Sequence, residues 1–122
     1  MKICWMTIYV NDMKESLKFY TEIMGLKLLK QFTVKPGMEI CFLDGQSISF
    51  ELIYDSENKN IQYGKDISVA FETDSIEKKM LQLNENGINN ILGPFKPNPE
   101  HTFIFIHDPN GFKIQIAENK VL

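Results

Sequence analysis

The chain alternates apolar and polar residues in short runs, interrupted twice by longer stretches whose apolar positions recur every three or four residues. Ile3 to Val10 is the first alternating run. Met6, Ile8 and Val10 fall on one side, and Trp5, Thr7 and Tyr9 on the other, which predicts a strand. Met13 to Met24 then places Met13, Leu17, Phe19, Tyr20, Ile23 and Met24 at helical spacing. Asp12 is positioned to cap this helix and Gly25 to stop it. Three more strands are expected over Leu26 to Val34, Met38 to Leu43 and Gln46 to Tyr54, with turns at Pro36-Gly37 and Asp44-Gly45. In the last of them Ile48, Phe50 and Leu52 oppose Ser47, Ser49, Glu51 and Ile53.

A polar stretch at about 55–65 reads as a linker, and the series then repeats. Asp66 to Thr73 is a strand. Asp74 or Ser75 caps a helix over Ile76 to Asn86, and Gly87 stops it. Ile88 to Phe95, Thr102 to Ile106 and Phe112 to Ala117 are strands, the last two joined by Asp108-Pro109-Asn110-Gly111. Ile8 and Phe71, Met13 and Ile76, and Leu17 and Met80 are each 63 positions apart. Two copies of β-α-β-β-β are too few and too long for a solenoid. They predict one α+β domain of two βαβββ modules, about 1–55 and about 66–122, forming a cup-shaped mixed sheet with helices outside.

Composition adds limits. A chain of 122 residues fits one domain and can bury a core without disulfides or metal. A net charge of −3 and the lack of a basic run argue against a nucleic-acid partner. No apolar run approaches the ~18 residues that would span a bilayer. Met1-Lys2 leads straight into the first strand without a signal peptide, so the expected location is the cytoplasm. Cys4 and Cys41, isolated in apolar runs, are expected to be reduced, buried thiols.

In each module one sheet face is apolar and should take the helix. The other carries Trp5, Thr7, Tyr9, Ser47, Ser49, Glu51, Ser68, Ala70, Glu72, Lys113, Gln115 and Ala117. Such a mixture suits either a solvated sheet or the wall of a small-molecule cavity. Trp5 can stack on a flat ligand or simply pack. Tyr9, Phe103 and Phe105 can extend an aromatic lining or belong to the core. His107 alternates with those phenylalanines and can enter the cavity, or sit at the turn. His101, among Pro97, Pro99 and Glu100, is expected in a loop.

The segment MTIYVNDMKESLKFYTEIMGLKLLKQF, with Ser16, Phe19 and Tyr20 in an S-x-x-F-Y pattern, resembles the opening module of the glyoxalase/bleomycin-resistance/extradiol dioxygenase superfamily, also called vicinal oxygen chelate. SVAFETDSIEKKMLQL resembles the start of its second module, and FIFIHDPNGFKIQIAE its closing hairpin. The resemblance implies a fold that often pairs as a homodimer. In its metalloenzymes two His and two Glu hold a divalent ion, and the matching positions here are Trp5, Glu51, Ser68 and Gln115. Trp has no lone pair to offer and neutral Ser is a weak ligand. The expectation is therefore no metal or other cofactor, and a small-molecule ligand held by Trp5, Tyr9, Ser68, Phe103, His107 and Gln115. Glu51 is the catalytic candidate, since a carboxylate in an apolar cup suits proton transfer. The alternative is a divergent glyoxalase-like lyase or isomerase that works through Glu51 and Gln115.

Overall fold

The computed structural model describes residues 1–119, so the last three residues of the expected second module lie outside the described residues. The chain divides into two units, Met1–Gln62 and the remainder from Tyr63 onward. Each is built as β-α-β-β-β. The first holds β1 (Trp5–Tyr9), α1 (Met13–Lys18), β2 (Lys27–Lys35), β3 (Met38–Asp44) and β4 (Ser49–Asp55). The second holds β5 (Val69–Glu72), α2 (Ile76–Glu85), β6 (Leu92–Asn98), β7 (His101–His107) and β8 (Lys113–Asn119). Each unit has one four-stranded mixed sheet, in the orders β1-β4-β3-β2 and β5-β8-β7-β6. The first strand of each unit pairs parallel with its last, and the other pairings are antiparallel. The two βαβββ modules are those expected from the order of elements.

The alternation decides which face takes the helix. In the first unit Ile8, Val10, Cys41, Leu43, Phe50 and Leu52 are buried with Met13, Phe19, Tyr20 and Ile23 of the helical segment. In the second, Ile104, Ile106, Ile114 and Ile116 are buried with Ile76 and Leu83 of α2. Asp12 caps α1 by accepting the Glu15 N–H at 2.9 Å, and Ser75 caps α2 by accepting the Lys78 N–H at 3.2 Å. The carboxylate of Glu118 accepts the Ile76 N–H at 2.9 Å, tying the start of α2 to β8.

Several boundaries differ from expectation. The first helix is α-helical only to Lys18 and continues as a π-helical turn, Phe19–Ile23, in which the Met24 N–H reaches back to the Phe19 carbonyl. This turn still buries Phe19, Tyr20 and Ile23, so the apolar stripe survives the change of winding. The Asp44-Gly45 turn is longer than a tight hairpin. Asp44 Oδ1 accepts the Gln46 N–H at 2.7 Å, Gln46 takes a positive φ of 71°, and β4 begins only at Ser49. Ser47 therefore lies outside the sheet. β6 starts and ends later than expected, and it contains Pro94 and Pro97, which its edge position tolerates. His101 opens β7 instead of lying in a loop, because the turn ahead of it spans only Pro99 and Glu100.

Cys4 precedes β1 and is exposed, which corrects the expected burial; Cys41 is fully buried, and both are free thiols. Burial, followed by the charge of Glu39, pushes the Cys41 thiol up to about 11. A maleimide or iodoacetamide assay near neutral pH should thus label one thiol, Cys4, in the native protein and both after denaturation. Rapid native labelling of Cys41 would contradict the packing of β3.

Candidate functional site

The sheet faces turned away from the helices hold the chemistry. On the first, β1 contributes Trp5, Thr7 and Tyr9, and β4 contributes Ser49, Glu51 and Ile53. Thr7 and Glu51 are direct neighbours in the parallel ladder, and the Thr7 hydroxyl donates to Glu51 Oε1 at 2.5 Å. Glu51 also sits opposite Phe42 of β3, whose ring meets Trp5 edge-on with centroids 5.9 Å apart. Glu51 is 9% exposed, whereas Trp5 is 55% exposed. The unit thus presents a sunken carboxylate bonded to a hydroxyl and flanked by two aromatic rings, one of them largely open. Tyr9 lies at the far end of β1, exposed, in register with Ile53.

On the second unit the corresponding face is formed by Ala70 and Glu72 of β5, Lys113, Gln115 and Ala117 of β8, and the odd-numbered residues of β7. Gln115 lies between Ala70 and Phe105 in the ladder, as Glu51 lies between Thr7 and Phe42. Phe95, Phe103 and Phe105 form an aromatic group with centroids 5.5 to 6.3 Å apart. The Lys113 ammonium sits 4.5 Å from the Phe105 ring centroid, a cation–π contact. A hollow of about 380 Å³ is lined by Ala70, Pro97, His101, Phe103, Gln115 and Ala117. The His101 Nδ1 lies 2.8 Å from Asn98 Oδ1.

Of the residues singled out in the sequence, Trp5, Tyr9 and Glu51 share the first open face, and Phe103 and Gln115 meet at the hollow of the second. Ser68 precedes β5 and is exposed, because the strand begins at Val69, three residues later than expected. His107 is exposed at the end of β7, in register with Lys113. Sequence reasoning missed Phe42, Phe95, the Thr7–Glu51 bond and the place of His101. The alternation that linked Phe103, Phe105 and His107 runs back one step to His101, so that signal was present.

The four positions that hold a metal in the superfamily's metalloenzymes do not fit one here. Trp5 offers no lone pair, Ser68 a neutral hydroxyl and Gln115 an amide oxygen, which leaves Glu51 as the one carboxylate of the set. Among the described residues no three His, Cys, Asp or Glu side chains come together in a metal-holding group. No helix among them is long and apolar enough to cross a membrane.

Residues 2–116 match the family model of the Glyoxalase/Bleomycin resistance protein/Dioxygenase superfamily. A lactoylglutathione lyase from Haemophilus influenzae is 30% identical, over 98% of this chain and 94% of the relative. The trypanothione-dependent glyoxalase I of Leishmania major superposes with a TM-score of 0.81 at 21% identity, covering 98% of this chain and 88% of that one. TnmS3, an antibiotic-binding protein from Streptomyces sp. CB03234, superposes with a TM-score of 0.76 at 21% identity, covering 98% and 97%.

Proposed function

Because the chain belongs to the Glyoxalase/Bleomycin resistance protein/Dioxygenase superfamily, we propose that it binds a small aromatic or amphipathic molecule against its open sheet faces, without the divalent ion of the superfamily's metalloenzymes. The support is the pairing of open aromatic surface with a few fixed polar groups. Trp5 and Phe42 accompany the Thr7–Glu51 pair on one face, and Phe103 and Phe105 accompany Gln115 on the other. The ligand positions Trp5, Tyr9, Ser68, Phe103, His107 and Gln115 belong to this reading. So does a homodimer, for which the exposed Leu28, Leu29, Phe32 and Val34 of β2 offer apolar surface.

Binding and metal content test it together. Protein dialysed against a chelator should still bind aromatic ligands, detected through quenching or a shift of Trp5 emission. One tightly held transition ion per chain, lost in Glu51→Ala, would overturn the metal-free reading. Trp5 emission that answers to no aromatic ligand in a broad screen would overturn its stacking role. A cytoplasmic location is part of the same proposal and is read by cell fractionation.

A second reading is favoured by the Thr7–Glu51 contact and by relatives called lactoylglutathione lyase. Here Glu51 moves the proton, and Gln115, on the other unit, is the second residue this reading names. Purified protein should then form lactoylglutathione, and Glu51→Gln should lower the rate by about a hundredfold or more, the usual weight of a positioned acid–base group. Undetectable turnover would remove this reading and leave the first intact.

A further inference from the structure

The hollow on the second unit has a polarity that can be worked out atom by atom. Asn98 Oδ1 accepts the backbone N–H of Glu100 at 2.9 Å, which fixes which way the Asn98 amide points. The same oxygen lies 2.8 Å from His101 Nδ1. A carbonyl oxygen only accepts, so Nδ1 must carry the proton. In the neutral ring the proton then resides on Nδ1, and Nε2 is left as an acceptor. The hollow therefore carries an imidazole whose tautomer is set by Asn98, the last residue of β6 and its partner across the hairpin. Beside it stand a phenylalanine wall and the Gln115 carboxamide, which can donate as well as accept.

An acceptor at the rim of an aromatic wall selects a ligand that brings its own donor. The charges nearby narrow the choice. Glu72 is in register with Ala117, which lines the hollow, so an anionic ligand would meet a carboxylate at this end. Lys113 is at the opposite end of β8, over Phe105. At about 380 Å³ the hollow falls in the lower part of the range for small-molecule sites, room for a ring system of one or two rings. We infer that the second unit takes a neutral phenolic ring, packed on Phe103 with its hydroxyl donating to His101 Nε2. This names the ligand class for the small-molecule reading above and rests on it. His101 is then the residue that sets specificity, and Asn98 a positioning residue acting through it.

The test compares β-naphthol with its methyl ether, which keeps the ring and removes the donor. Titration is followed by calorimetry and by amide shifts of Phe103 and Gln115. The naphthol should bind about fivefold to tenfold more tightly than the ether, the weight of one neutral hydrogen bond. His101→Phe should erase that preference, so that naphthol and ether bind with equal affinity. Asn98→Ala, which leaves the ring in place but releases its tautomer, should reduce the preference in part. Equal binding of naphthol and ether to the native protein would overturn the phenolic inference and leave aromatic binding standing. Binding of neither compound would overturn both for this face. If His101→Phe fails to fold, an undiminished preference in Asn98→Ala would count against the role given to the tautomer.

Discussion

Phe112→Ala should be the most damaging single truncation considered, costing about 4 kcal/mol of stability, as buried Phe-to-Ala changes usually do. Phe112 is almost fully buried just ahead of β8, and its ring meets Tyr63 with centroids 5.2 Å apart. The loss combines the apolar surface no longer buried with the void left where the ring stood. Urea unfolding should show a lower midpoint at nearly constant slope. A second signal comes from Tyr63, whose phenol is pushed well above its ordinary range, first by burial and then by the charge of Asp108. A raised folded value means that the neutral phenol is favoured in the fold. Its contribution is present below the unfolded value of about 10 and is lost as pH rises through the folded one. Phe112→Ala opens this environment, so alkaline spectrophotometric titration should find Tyr63 ionising at lower pH than in the native protein. A loss under about 1 kcal/mol with an unchanged Tyr63 titration would show that Phe112 is not the anchor the packing makes it.

Asp108→Ala should cost about 3 kcal/mol through an unrelated cause: stranded donors. Asp108 Oδ1 accepts the Asn110 and Phe112 N–H groups at 2.8 Å each, and Oδ2 accepts the Asn110 side-chain amide at 3.0 Å. The bond to Phe112 is buried. Alanine would leave these donors unpaired where water reaches poorly, which costs roughly 1–3 kcal/mol for a buried group. Asp108→Asn keeps an acceptor oxygen for the backbone donors and should lose about 1 kcal/mol. Equal losses in the two variants, measured by denaturant unfolding, would mean that charge and not acceptor geometry holds the turn. Both substitutions fall in one turn, so their energies should not add.

These two residues also show what could be read from the letters alone. The run Asp108-Pro109-Asn110-Gly111 announced a turn, and the turn is there, because Asp side chains bond their own downstream backbone. The alternation of β8 set Ile114 and Ile116 apart from Lys113, Gln115 and Ala117, and both isoleucines are buried; β7 is apolar on both faces, so its letters left open that Ile104 and Ile106 would be the buried side. The late start of β4 was hidden. It depends on Asp44 holding the Gln46 amide and on a positive φ at a residue that rarely adopts one. The π-helical turn was hidden too, since the same apolar spacing satisfies either winding over so short a stretch. On the open faces, Glu51 and Gln115 could be located by strand parity. The bond from Thr7 and the ring of Phe42 could not, because they depend on which strands become neighbours and in what register. Sequence shows which side of a strand a residue takes. Its partner across the ladder is a property of topology.

The two prolines of β6 have a consequence for how copies of the chain meet one another. An unpaired strand at the border of a sheet is a template on which a second chain can lay its own backbone, and long, flat, apolar borders are where proteins aggregate. Pro94 and Pro97 have no amide hydrogen to give, and both stand in a seven-residue border strand whose ladder to β7 is also broken by register shifts. Exposed Leu92 and Phe95 would otherwise make this stretch adhesive. Two missing amide donors weaken this border as a template for cross-chain β-pairing, so apolar rings can be tolerated at its surface. Replacing both prolines would remove that protection.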